Sequence, residues 1–236
     1  MNKQDSFDLI FQSLNEPQRI AVEHNSGALL IIAGAGSGKT RVITTRIMQL
    51  IKKGVAPDSI VALTFTNKAA LEMKERVSAL LQLEKAPTIT TFHGYCLQLL
   101  RKYGSLIELP SFTILDSDDQ LSLINSILKR NSLEKQFSAK TILHHISSKK
   151  NNANLVTNQT NRLVQEIHAT YEKEKFLNKS LDFDDLLVKM NELLEKEHFL
   201  PLLRKSIRHV LVDEYQDTNV LQHKLLKKLC ANKDGT

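Results

Sequence analysis

Cysteine is scarce: the 236 residues carry two, Cys96 and Cys230. So few cannot staple a disulfide scaffold, so the fold must rest on a core, and a reducing compartment suits it. Long apolar runs are lacking as well. No stretch of the sequence approaches the roughly 20 apolar residues of a membrane-spanning helix, so no membrane association is expected. Residues 1–14 mix Asn, Lys, Gln, Asp and Ser with apolar positions and hold no secretory apolar segment. Together these absences lead to the expectation of a cytoplasmic protein. Acidic excess is lacking too. The net charge is +6, which is compatible with a polyanionic partner without requiring one. Apolar residues make up 42% and charged residues 25%. That is enough to bury a real core, in one large domain or two smaller ones.

The sequence is organised around residues 28–40. Ala28-Leu29-Leu30-Ile31-Ile32-Ala33 is a short apolar run that predicts a buried strand. It leads into Gly34-Ala35-Gly36-Ser37-Gly38-Lys39-Thr40, after which Ile43, Ile47, Leu50 and Ile51 recur at helical spacing. Counted from Ala33, the segment is a G-x-x-x-x-G-K-[ST] phosphate loop with alanine in place of the first glycine. The strand-to-helix context is the one the motif needs. Glycines allow positive φ and bring backbone N–H groups close to a ligand. With the helix N-terminus those groups make an anion site. Ala33, Gly34, Ala35, Gly36, Ser37 and Gly38 therefore form a cradle. Lys39 supplies a point charge for β- and γ-phosphates, and Thr40 a hydroxyl for Mg2+.

Upstream, Asn15 can cap a helix with Pro17 in its first turn. Gln18 carries an amide able to read an adenine edge, or is a plain surface residue. Downstream, Ser59-Ile60-Val61-Ala62-Leu63-Thr64-Phe65 predicts a second strand, followed by a helix capped by Thr66 or Asn67 with Ala69, Met73 and Val77 inward. Thr88-Ile89-Thr90-Thr91-Phe92-His93 predicts a third, again feeding a helix. Strands alternating with helices argue for parallel βαβ units. In such sheets ligands gather at the carboxyl ends of strands, which here carry Thr64, Phe65, Thr66, Asn67, Thr91, Phe92 and His93. Phe65, beside Lys68, either stacks a base, worth about 1–3 kcal/mol, or belongs to the core. From about Leu109 the pattern turns helical. Asp116 or Ser117 caps a helix with Leu121, Ile124 and Leu128 inward. Lys149-Lys150 reads as a solvated charge pair, and another helix is expected near residues 160–178. His144-His145 adjoins no acidic or cysteine cluster at ligand spacing. In Leu181-Asp182-Phe183-Asp184-Asp185-Leu186-Leu187, Asp182 or Asp184 is expected to cap a helix over residues 185–196.

The second decisive motif is His209-Val210-Leu211-Val212-Asp213-Glu214-Tyr215-Gln216-Asp217. An apolar strand delivers two acids at its carboxyl end. In nucleotide hydrolases the first holds Mg2+ and the second orients and deprotonates the attacking water. Lys39 and Asp213 lie 174 residues apart, about twice what a minimal phosphate-loop core needs at typical element and loop lengths. The helical middle is thus expected to be inserted into the core.

The set as a whole resembles the N-terminal part of the UvrD/Rep/PcrA group of superfamily 1 DNA helicases. The resemblance is carried by residues 14–18, 33–41, 64–70, 91–96, 181–186 and 212–219, in the family's order. The runs Thr-Phe-Thr-Asn-Lys-Ala-Ala and Asp-Glu-Tyr-Gln-Asp-Thr-Asn are its most specific pieces. It implies an α/β fold: a RecA-like P-loop NTPase core with a parallel sheet, in segments 1–110 and 184–236, and an all-helical subdomain inserted at 111–183. It implies ATP and Mg2+ as cofactors. Gln18 would read adenine, Lys39 and Arg41 the phosphates, and Thr40 and Asp213 would serve Mg2+. Glu214 would be the general base, acting with Lys39 and Asp213. Thr64, Phe65, Thr66, Asn67, Lys68 and His93 would lie along single-stranded DNA, and Gln216 would link the γ-phosphate region to that track. The implied activity is ATP-dependent 3′→5′ translocation and unwinding, with single strands and duplex junctions as partners, in repair or replication. The sequence stops at Thr236, where the family's next core strand is expected. A second RecA-like half, with the arginines that face the nucleotide, is therefore expected in cis or in trans. The chain alone is expected to bind nucleotide and hydrolyse it poorly. Two other outputs fit the same motifs: the N-terminal domain of a helicase–nuclease subunit, and a non-catalytic nucleotide- or DNA-binding regulatory module. The intact set Lys39, Thr40, Asp213 and Glu214 argues against the latter.

Overall fold

The computed structural model describes residues 3–25, 27–80, 84–109, 111–151 and 162–231. Its elements run α1 (Lys3–Gln12), α2 (Glu16–Glu23), α3 (Lys39–Lys52), β1 (Ile60–Thr64), α4 (Asn67–Leu80), β2 (Thr88–Thr91), α5 (Phe92–Tyr103), β3 (Thr113–Ile114), α6 (Ser117–Arg130), α7 (Ala139–Asn151), α8 (Arg162–Leu177), β4 (Ser180–Leu181), α9 (Phe183–Leu193), α10 (Phe199–Ser206), β5 (His209–Val212) and α11 (Val220–Cys230). Two compact units result. One is Met1–Tyr95 with Pro201–Asp217. The other is Cys96–Leu200 with Thr218–Thr236, and takes in residues on both sides of the 111–183 stretch. Among the described residues, no helix is long and apolar enough to cross a membrane.

The first unit is built on a parallel sheet in the order β2-β1-β5. β1 is central and buried at every position, which is why it reads as an unbroken apolar run. Register pairs Thr64 with Thr91 and Leu63 with Val212. The Asp213 N–H donates to the Leu63 carbonyl at 2.9 Å, carrying the ladder one residue past β5. Three chain segments thus end together at Thr64, Thr91 and Asp213. Ile47 and Leu50 of α3 and Met73 and Val77 of α4 bury against Ile60, Ala62, Ile89 and Leu211. Leu14, Ala21, Val22 and Val42 form a second small core where α2 meets α3.

One expectation fails here. Residues 28–33 are not a strand, and Leu30 is 67% and Ile32 89% exposed. An apolar run becomes a buried strand only when a neighbouring ladder takes up its N–H and C=O groups. No described strand pairs with this one.

In the second unit, α6, α7 and α8 close a core of Ile124, Ile127, Leu128, Ile142, Ile146, Ile167 and Tyr171. Asp116 caps α6 in a reciprocal pair with Asp119. The helical middle also carries a short parallel pair, Thr113 with Ser180 and Ile114 with Leu181. Two-residue strands leave no periodic signal to read. Asp182 caps α9 and exchanges bonds with Asp185, so the helix starts at Phe183, earlier than expected.

Lys150 is not a solvated charge. Its ammonium lies 2.7 Å from Asp182 Oδ2, 2.7 Å from Asp185 Oδ1 and 2.9 Å from Glu172 Oε1. Lys175, 2% exposed, lies 2.7 Å from Asp182 and 3.1 Å from Glu172 and also pairs with Asp185. The Tyr171 hydroxyl donates to Asp182 Oδ2 at 3.1 Å. Sequence spacing places Tyr171, Glu172 and Lys175 on one face of α8. It cannot show that the last turn of α7 meets the first turn of α9 there. Burial alone would disfavour these charges. His168, 3.6 Å from the carboxylate, and the two ammoniums outweigh it and hold Glu172 at about 2. Asp182 is likewise held below the usual carboxylate range, against burial, by Lys150 and Lys175. Lys150 is held above its ordinary value, again against burial, by Asp185, Asp182 and Glu172. The three carboxylates each present an oxygen within 4.8 Å of the others, and the two ammoniums compensate two of their three charges.

Candidate active site

The loop before α3 is shaped by two left-handed glycines, Gly36 with φ 73° and Gly38 with φ 87°. Gly38 occupies the cap position of α3 and offers no side chain. The first amides of the helix therefore face outward, where an anion would be favoured. Lys39 Nζ donates to the carbonyls of Ala33 and Gly34 at 3.1 Å each. Ser37 Oγ donates to the Gly34 carbonyl at 2.7 Å. The loop thereby closes on itself around the lysine.

Gln18 braces this loop. Asn15 and Gln18 exchange side-chain-to-backbone bonds of 3.0 and 3.1 Å across the first turn of α2. The Gln18 Nε2 also donates to the Ser37 carbonyl at 2.9 Å. The N-x-x-Q spacing is a legible capping signal, but the contact to Ser37 is not local. A Cβ on Gly38 would approach Gln18 Nε2 to 3.0 Å. Gly38→Ala is therefore expected to cost about 1–2 kcal/mol in left-handed strain and to push Gln18 off the loop. A thermal melt should show the midpoint lowered by several degrees, and an unshifted midpoint would refute it. Arg41, on the first turn of α3, donates to Ser13 Oγ just after α1. No sequence signal pointed to Ser13.

The acidic strand meets the loop directly. Thr40 Oγ1 donates to Asp213 Oδ2 at 3.3 Å, joining residues 173 apart in sequence. Asp213 is 6% exposed. Burial pushes its carboxyl up, and the Thr40 bond and the Glu214 N–H oppose that rise. A hydroxyl and a carboxylate converging in this way are hard oxygen donors, the set that suits Mg2+. Glu214 takes the left-handed conformation, φ 50°, costing about 1 kcal/mol or more for a residue with a side chain. Its carboxylate is exposed and accepts from Gln216 Nε2 at 2.5 Å. The same Gln216 amide lies 3.4 Å from Asp217 Oδ2.

The residues expected along DNA separate into two kinds. Thr64 is buried, and its hydroxyl donates to the Thr66 carbonyl at 3.0 Å. The Thr66 hydroxyl accepts from the Ala69 N–H at 3.1 Å and caps α4. These two shape the turn. Asn67 and Lys68 are exposed on the first turn of α4, and Phe65 and His93 are half-buried. Phe65 is both core and surface: its ring packs on buried Phe92, centroids 5.5 Å apart, with an edge left open. Gly94 is also needed at this end of the sheet. A Cβ there would come within 2.5 Å of Thr90 Oγ1, so glycine lets α5 start directly from β2. The signal was the glycine one residue after the expected strand.

Comparison with known proteins follows the same lines. A family model described as the UvrD/REP helicase N-terminal domain matches residues 14–235. The chain is 42% identical over 232 residues to an ATP-dependent DNA helicase PcrA of Bacillus subtilis, covering 93% of this chain and 31% of that protein. It is 42% identical over 243 residues to a probable DNA helicase II homolog of Mycoplasma capricolum, covering 96% and 34%. It is 38% identical over 235 residues to an ATP-dependent DNA helicase PcrA of Staphylococcus aureus, covering 94% and 32%. The chain spans about a third of the length of the curated relatives it matches.

Proposed function

The chain belongs to the UvrD/REP helicase N-terminal domain family, and from that premise we propose that it is the ATP-binding portion of a DNA helicase that moves 3′→5′ along single strands. The observation that carries the reading is the 3.3 Å contact between Thr40 and Asp213. It joins the two motifs a nucleotide hydrolase must bring together. Ala33 to Gly38 cradle the phosphates through backbone N–H groups, and Lys39 and Arg41 add charge. Gln18, whose amide is held by Asn15 and Ser37, would offer its remaining hydrogen and lone pair to the base. Thr40 and Asp213 would hold Mg2+, which would neutralise charge on the phosphates. Glu214 takes the proton of the attacking water, with one carboxylate oxygen held by Gln216. Phe65, with Thr64, Thr66, Asn67, Lys68 and His93, forms the single-strand track. Gln216, on the turn that follows Glu214, links the two. Residues 111–183 are the proposed insertion between core segments 1–110 and 184–236. The relatives are three times as long, so a second RecA-like half, in cis or in trans, is the proposed source of the arginines facing the phosphates. A cytoplasmic role in repair or replication, at duplex junctions, goes with this proposal.

Binding is the test that needs no second half. Lys39→Ala removes a charged donor to the phosphates, a bond worth about 1.5–3 kcal/mol. Titration with a fluorescent ATP analogue and Mg2+ should show affinity about 10- to 100-fold weaker. Equal affinity in the variant would remove the phosphate-loop reading.

A further inference from the structure

Asn219 closes the run that begins at Asp213, and its side chain works entirely within the second unit. Asn219 Oδ1 accepts from the Gln222 N–H at 2.9 Å, capping α11, while Asn219 N–H donates to Gln222 Oε1 at 3.0 Å. Asn219 Nδ2 donates to Asn151 Oδ1 at 2.8 Å. Asn151, the last residue of α7, turns its own Nδ2 to Asp184 Oδ1 at 2.7 Å and to the Ser147 carbonyl at 3.0 Å. The orientation of the Asn151 amide is thereby fixed. Flipped, it would set an oxygen against the Asp184 carboxylate and a nitrogen against the Asn219 donor. Neither neighbour is free to drift. Lys150 precedes Asn151, and Asp182 and Asp185 flank Asp184; all three belong to the buried ion cluster. α11 is also tied to α9 by Asn191 Nδ2, which donates to the Leu221 carbonyl at 3.2 Å.

We infer that Asn151 and Asp184 are positioning residues for the segment Glu214-Tyr215-Gln216-Asp217, acting through the Asn219 cap. The segment begins where Asp213 leaves the sheet ladder and ends two residues before Asn219. Within it Glu214 holds a left-handed backbone and the next residues make a single 3-10 turn. Such a conformation persists only where its surroundings over-determine it. In the first unit the ladder holds Asp213, just before the segment; in the second, Asn151 and Asp184 hold Asn219, two residues after it. The consequence for hydrolysis rests on Glu214 being the general base.

The test is a polarity swap in the 236-residue chain. Asn151→Asp sets two carboxylates against each other. Adding Asp184→Asn restores a donor–acceptor pair with its sense reversed, and the new carboxylate at 151 still accepts from Asn219. Hydrogen exchange of amides 214–222 should be about tenfold faster in Asn151→Asp. Single-turnover ATP hydrolysis should slow by about tenfold while nucleotide affinity stays within about twofold. The double variant should return both to near wild type. Should Asn151→Asp fail to fold, Asn219→Ser keeps the capping oxygen but drops the donor to Asn151, and the same exchange gain is expected. Unchanged exchange at 214–217 in a folded variant, or no recovery in the double, overturns the inference. Undiminished hydrolysis in Glu214→Gln, with exchange behaving as stated, overturns the base assignment alone.

Discussion

Glu214→Gln is expected to slow ATP hydrolysis by about 100- to 10,000-fold, the usual worth of a positioned general base, while leaving nucleotide affinity nearly unchanged. The substitution keeps the shape of the side chain and removes its capacity to take a proton. Thr40 and Asp213, which would hold Mg2+, are untouched, as are Lys39 and the loop amides. Binding and chemistry therefore separate. The unmodified chain is itself expected to turn over slowly. Arginines acting on the transferring phosphoryl group are worth about 10³–10⁵ in rate, and in this proposal they come from a second half. The measurement is release of labelled phosphate in a single turnover, over hours, with enzyme in excess. Equal rates in the variant and its parent would take the general-base role from Glu214.

Lys175→Met should cost the second unit about 3–5 kcal/mol, the penalty of breaking a buried ion pair by removing one partner. The side chain is 2% exposed and faces three carboxylates. Methionine fills a similar volume and leaves Asp182, Asp185 and Glu172 with Lys150 alone. Adding Asp182→Asn, which keeps a capping side chain for α9 and removes one charge, should recover more than half of the loss. Urea unfolding followed by helical ellipticity reads both. Acid adds an independent check. Glu172 and Asp182 are held below their ordinary values of 4.5 and 3.8 in the folded chain. Their contribution is then fully present above those ordinary values and is lost as pH falls from there toward about 2, where Glu172 takes up its proton in the fold. Between neutral pH and about pH 3 the unfolding midpoint should fall clearly in the parent chain and less steeply in Lys175→Met. A parent chain whose stability ignores this acid window would show that the cluster carries no net stabilisation.

Legibility followed the range of the interaction behind each feature. Gly38, Lys39 and Thr40 could be assigned because phosphate binding demands left-handed backbone, a cation and a hydroxyl at fixed offsets. Asp213-Glu214 stood out because an apolar strand ending in two acids gains meaning once a phosphate loop is present. The caps at Asn15, Thr66 and Asp116 were readable because a cap is satisfied within three residues. Residues 28–33 misled for the opposite reason. Their composition speaks of burial, but a strand's burial is granted by a neighbour far away in sequence. Lys150 misled in the same way, since a lysine beside another lysine at a helix end looks solvated until α9 is placed against it.

What the sequence determined by itself was the chemistry: a phosphate loop, two acids at a strand end, a net positive charge, and the family's motif order. Each is a statement about residue types at short spacing, where backbone geometry leaves little choice. The tertiary structure decided which distant groups meet. It brought Thr40 to Asp213 and Gln18 to Ser37. It drew Lys150 and Lys175 into one carboxylate cluster, and linked Asn219 through Asn151 to Asp184. The longest of those contacts joins residues 173 positions apart. They depend on how helices and strands pack, which no local pattern of residues specifies.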